Sequence, residues 1–133
     1  MTKTKKADDI EYRLLITPQF DERRQVETMF FRLETTRSFA TFQYELSVKE
    51  EVSPSSINYT ILGLKTPRLD LPASGHAHFE RSYDTFNGRY DLTIKGIDGR
   101  VNTFQVKINS SGATVAKAPP HPFVSIIVDK KLW

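Results

Sequence analysis

The sequence predicts an all-β protein, an antiparallel β-sandwich of about seven to eight strands. Three observations carry this expectation. Apolar residues recur with period two, as in Tyr90, Leu92 and Ile94 alternating with Asp91, Thr93 and Lys95, which is the mark of a half-buried strand. Asp98-Gly99 follows and supplies a tight turn, since Gly accepts the positive φ that hairpin turns require and Asp tolerates it better than most residues. No segment carries an amphipathic helical pattern longer than a turn or two, while strand-like runs recur at short spacing, the signal of a sandwich or barrel.

The elements follow in chain order. Ile10, Tyr12, Leu14 and Ile16 form a first strand that Pro18 is expected to stop. Gln25 to Glu34 is apolar on both faces around Met29-Phe30-Phe31, which predicts a central strand or a bulge. Phe42, Tyr44, Leu46 and Val48 face one way and Thr41, Gln43, Glu45, Ser47 and Lys49 the other, the cleanest alternation in the chain. A helix would scatter those apolar groups around its circumference. Pro54-Ser55-Ser56 is a loop, and Ile57 to Lys65 is rich in β-branched and aromatic residues. Thr66 to Gly75, with Pro67 and Pro72, reads as a crossing between layers. Ala77, Phe79 and Tyr83 belong to a further strand, with Arg81 interrupting its apolar face. The hairpin comes next, its second strand carrying Phe104, Val106 and Ile108. Asn109 to Pro122 is rich in Ser, Gly, Ala and Pro and reads as a loop. Phe123 to Val128 is the last strand, its Ile126-Ile127-Val128 suggesting burial on both faces.

Asp84-Thr85-Phe86-Asn87-Gly88-Arg89-Tyr90-Asp91-Leu92 resembles the approach to strand F of immunoglobulin-like domains. In that superfamily a Gly-x-Tyr-x-apolar pattern often carries a Tyr whose hydroxyl ties back to the preceding corner. By this resemblance Tyr90 is that Tyr, and Leu92 stands where antibody domains keep a cysteine. The hairpin onward to Ile108 is similar to the F–G hairpin of bacterial immunoglobulin-like and fibronectin type III modules. The chain departs from the pattern in having no tryptophan at a strand-C core position, since Trp133 is terminal. The resemblance implies a fold and no activity, because that fold hosts many functions.

The 133 residues make one domain, placed at 10–133 behind a basic tail of residues 1–9 expected to be disordered. A hydrophobic fraction of 38% and a charged fraction of 26% fit an ordinary globular chain. The chain contains no cysteine, so disulfides and thiolate chemistry are excluded. Lys3, Lys5 and Lys6 precede no apolar segment of the kind a signal peptide needs. No run approaches the roughly 18–20 apolar residues of a membrane-spanning helix. A cytoplasmic location is therefore the expectation. The net charge of +3 equals the three lysines of the first six residues, so the remainder is balanced.

His76-Ala77-His78 is the sharpest chemical feature. Residues two apart on a strand share a face, so both imidazoles and the carboxylate of Glu80 can reach one metal ion, with His121 joining if its loop folds back. The opposing reading is a polar solvent face opposite Ala77 and Phe79, and it is preferred. No Gly-x-Ser-x-Gly elbow surrounds Ser53, Ser55 or Ser56. Asp8-Asp9 and Glu50-Glu51 are sequence neighbours, which point to opposite strand faces and read as solvated ends. Arg81, Arg89 and Arg100 are the candidate binding residues for a nucleic acid or glycan, near Tyr83 and Phe86. Arg89 shares its face with Asp91, which partly cancels it.

The expected function is a non-enzymatic interaction or assembly module without a cofactor. Its partner is a protein or a second copy, the latter meeting it through an edge strand, with Phe123 to Val128 the candidate. A nucleic-acid- or glycan-binding domain and a metal-dependent enzyme using His76 and His78 are the alternatives.

Overall fold

The computed structural model describes residues 10–39, 45–65, 75–84, 87–109 and 112–128. They form nine strands: β1 (Tyr12–Asp21), β2 (Val26–Phe39), β3 (Glu45–Ser53), β4 (Ser56–Lys65), β5 (Gly75–Asp84), β6 (Gly88–Lys95), β7 (Val101–Asn109), β8 (Gly112–Lys117) and β9 (Val124–Val128). Among the described residues no helix is long and apolar enough to cross a membrane.

The all-β expectation holds, and the architecture differs from the expected sandwich. The strands make a single mixed sheet in the order β8-β7-β6-β4-β3-β5-β2-β1-β9. Its two ends curl together until β8 approaches β1 and β9, giving a nearly closed barrel. Antiparallel hairpins join β1 to β2, β3 to β4, β6 to β7 and β7 to β8, while β1–β9 and β4–β6 run parallel. Period two reports which face of a strand is buried. It is silent on whether that face meets a second sheet or the inside of its own curved sheet, and the parallel pairings leave no local mark.

One face of each strand points inward. Leu14 and Ile16, Phe31 and Leu33, Ile57 and Tyr59, Leu92 and Ile94, and Phe104, Val106 and Ile108 are all buried in one cluster. A barrel of about eight strands is just wide enough for its own side chains to fill, and this one is filled by them. Charged residues such as Arg89, Lys95 and Lys107 occupy the outward positions.

Four local readings are corrected. β1 runs through Pro18, which pairs with Met29. Val128 lies opposite Ile16, and among the described residues β1 has from Thr17 onward a ladder partner on the β2 side alone, the edge setting where proline is tolerated. Asn109–Pro122 contains β8, antiparallel to β7, and its Gly112-Ala113 start hid it. Gly112 has φ +141°, open to glycine, and Ala113 is small enough to be buried against the core. Ile127 is outward and exposed rather than buried. Glu50 points inward and is hydrogen-bonded rather than solvated. The tail 1–9, the crossing 66–74 and the Phe42 and Tyr44 positions lie outside the described residues.

Candidate functional site

A depression sits where the β6–β7 turn meets the start of β1 and the entry to β9. Gly96 donates its N–H to the Arg100 carbonyl at 2.8 Å, and Gly99 donates to the Gly96 carbonyl at 3.1 Å. Gly99 has φ +89°, a conformation that favours glycine. Gly96 is favoured for another reason. A Cβ there would lie 3.2 Å from both the Phe123 ring and Asp98 Oδ1.

Arg100 fastens this turn to the rest of the barrel. Its Nε donates to Asp98 Oδ2 at 2.7 Å and its Nη2 to Glu11 Oε2 at 2.6 Å. The guanidinium lies 4.9 Å from the centre of the Phe123 ring, within cation–π range. Tyr12 packs edge-on against the same ring at 6.2 Å. The Arg100 backbone N–H and then its side chain stabilise the Asp98 carboxylate and lower its pKa. Burial, and then the Asp98 charge, raise the Tyr12 pKa, with Arg100 opposing them.

The result is a half-open depression of about 160 Å³ lined by Tyr12, Gly96, Ile97, Arg100 and Phe123 with two carboxylates, Glu11 and Asp98. That volume is below the roughly 300–1,000 Å³ of small-molecule pockets. Arg100 is committed to its two carboxylates, so the corner is short of positive charge. Its chain neighbours are exposed apolar groups: Ile97 is 60% exposed, Val101 52% and Ile10 38%.

A second polar feature joins β3, β4 and β5. Arg81 Nε donates to Glu50 Oε1 at 2.9 Å, the Tyr83 hydroxyl donates to Glu50 Oε2, and the Tyr59 and Tyr83 hydroxyls lie 2.8 Å apart. Phe31 meets Tyr59 and Tyr83, and Phe79 meets Tyr59, in edge-on contacts, and Arg81 lies over Phe79 at 4.4 Å. Burial is the main cause that pushes the pKa of Tyr59 and of Tyr83 far upward. Both phenols therefore stay protonated and neutral at ordinary pH, which suits hydrogen bonding and not nucleophilic or basic chemistry.

This sets an alkaline limit on stability. The folded state keeps the Tyr59 proton where the unfolded chain loses it near pH 10. Stability is then complete below pH 10 and falls as pH rises beyond it, by about 1.4 kcal/mol per pH unit from Tyr59. Urea melts between pH 9 and 11.5 should show a decline that includes this contribution, and Tyr59→Phe should make it shallower while the Tyr83 contribution remains. An unchanged slope in the variant would contradict the assignment.

The residues singled out in the sequence are scattered. Arg81 belongs to the Glu50 chain and Arg100 to the corner. Arg89 lies opposite Lys107 at the far end of the β6–β7 hairpin from Lys95 and Val101. The ladder sets Glu80 opposite Arg32 and His78 opposite Glu34. Glu80 is engaged by Arg32 Nη1 at 3.2 Å, and the side chain of His76 lies outside the described residues. His121 is exposed in the segment before β9, where its carbonyl accepts from Asn102 at 3.5 Å. Among the described residues no three His, Cys, Asp or Glu side chains gather as a metal site.

Glu11, Tyr12 and Phe123 escaped sequence reasoning because they lie far from Arg100 along the chain. Glu50 left a faint signal, as the charged successor to the inward pair Leu46 and Val48. The chain matches no family model, no curated protein and no solved structure.

Proposed function

We propose that this protein is a non-enzymatic interaction module that receives a partner protein at the Arg100 corner. The carrying observation is a filled barrel whose depression fits one side chain and is flanked by exposed Ile97, Val101 and Ile10. Apolar residues gathered at the rim of a pocket are the usual anchors of a protein contact. Glu11 and Asp98 together outnumber Arg100 in charge, so the fitting segment offers an aliphatic side chain beside a Lys or Arg. The protonated tyrosines of the Glu50 chain support a structural role for that cluster. The immunoglobulin-like resemblance over Asp84 to Ile108 adds nothing to this reading, because fold alone carries no activity. β8 and β9 share no ladder among the described residues, which favours a second form of assembly, self-association through their facing edges.

A peptide library displayed on phage and selected against the purified protein tests the corner. The expected winners carry an aliphatic residue next to a basic one. Ile97→Asp should weaken their binding by about tenfold or more, which is about 1.4 kcal/mol. Peptides that bind Ile97→Asp as well as they bind the natural chain would overturn the assignment, as would a selection without winners.

A further inference from the structure

The outer surface of the barrel is electrostatically uneven, although the chain beyond its first six residues is balanced. Around β1, β2 and β5 arginine is matched to carboxylate. Arg13 bonds Glu34, Arg32 bonds both Glu34 and Glu80, Arg24 bonds Asp21 and Asp84, and Arg81 bonds Glu50. The opposite half, built from β3, β4, β6, β7 and β8, carries exposed Lys49, Arg89, Lys95, Lys107 and Lys117. None of these five side chains makes an ion pair or hydrogen bond among the described residues.

The ladders place them on one continuous face. Lys49 is opposite Thr60, and Thr60 is opposite Lys95. Arg89 is directly opposite Lys107, and Lys107 is opposite Thr114. Lys117 is opposite Gln105, which is opposite Asp91. Like charges directly opposite on a sheet cost stability, so the Arg89–Lys107 pair has no folding rationale. Between the rows lie hydroxyl and amide donors, among them Thr93 and Thr103, whose Oγ1 atoms are 3.2 Å apart. Glu45, Glu51 and Asp91 are the exposed acids on this face, fewer than the five cations.

The geometry points to this face as a binding surface for the phosphate backbone of duplex nucleic acid. Arg89 and Lys95 are six positions apart on β6, roughly 20 Å. Four strand spacings from β3 to β8 give about 19 Å along the curved outer surface, with Arg89, Lys95 and Lys107 of β6 and β7 at its middle. Such a face covers about six base pairs of duplex. The outward side chains here include no aromatic ring for stacking, and base stacking is what single-strand platforms use. The contact therefore reads charge and leaves sequence unread. This surface is separate from the Arg100 corner and does not depend on the reading given to it.

Fluorescence anisotropy of the full chain with a 20-base-pair duplex of mixed sequence, taken from 50 to 200 mM salt, is the test. About four phosphate contacts give a log–log slope near −3.6 and a loss of about a hundredfold in affinity over that range. The double variant Lys95→Gln/Lys107→Gln should lower the slope by about 2. Arg23→Gln, at an exposed cation in the β1–β2 turn on the other side of the barrel, should leave it unchanged. All of the replaced residues are exposed, and circular dichroism checks that each variant is folded. No binding at 50 mM salt would overturn the proposal. So would an unchanged slope in the double variant, tighter binding to the single strand than to the duplex, or binding to phosphatidylserine vesicles without binding to the duplex.

Discussion

Phe31→Ala is expected to destabilise the protein by about 3–5 kcal/mol, the cost of emptying a buried aromatic site that cannot fully collapse. Phe31 is 1% exposed. Its ring meets Tyr83 at 5.1 Å and Tyr59 at 6.4 Å, both edge-on. β2 pairs with β1 on one side and β5 on the other, so its inward side chains are walled on both flanks. The loss also has an electrostatic side. Without the Phe31 ring, water reaches the Tyr59–Tyr83–Glu50 chain, and burial no longer holds the phenols so far above their ordinary pKa. The variant should show a lowered urea midpoint and a weaker decline in stability above pH 10. A loss under 1 kcal/mol would mean that β2 is not central to the core. This loss is comparable to a large part of the net stability of an ordinary domain, so the melt should be made in the cold or with a stabilising osmolyte.

Which residues face inward was legible because that is a local property. Tyr90, Leu92 and Ile94 on β6 and Phe104, Val106 and Ile108 on β7 alternate without exception, and all six are buried. Glu50 and Glu51 were expected on opposite faces, and Glu50 indeed turns inward while Glu51 is exposed. Strand order was not legible. β4 lies beside β6 in parallel with β5 elsewhere in the sheet, and no residue of either strand announces its neighbour. β8 was hidden for a different reason. Its short Gly-Ala-Thr-Val-Ala-Lys sequence has little of the β-branched and aromatic content that marks a strand, and it is held by pairing with β7. The candidate site was half legible. Arg100 stood out beside a turn, but its ion-pair partner Glu11 is 89 positions away, a separation that no spacing rule spans.

Asn102→Ala is the second large expectation, about 2–4 kcal/mol, and it follows from the way the chain's last described strand joins the first. Asn102 is an inward-facing amide, 4% exposed, at the start of the apolar row of β7. Its Oδ1 accepts from the Phe123 N–H at 2.8 Å and from the Val124 N–H at 3.3 Å. The Phe123 carbonyl in turn accepts from the N–H groups of Glu11 and Tyr12 at 2.9 and 3.2 Å. One peptide segment thus hangs between β7 and β1, and β9 begins there. Removing the amide leaves two buried N–H groups without an acceptor, each costing about 1–3 kcal/mol. The cost concentrates where β9 enters the sheet, so the Phe123 and Val124 amides should lose hydrogen-exchange protection ahead of β6 and β7. Phe31→Ala, by contrast, lowers protection throughout. Because Phe123 also floors the Arg100 depression, Asn102→Ala should weaken partner binding at that corner while leaving the salt-dependent slope of the cationic face unchanged. Retained protection at Phe123 and Val124, with stability within 1 kcal/mol of the natural chain, would show that this amide does not anchor β9.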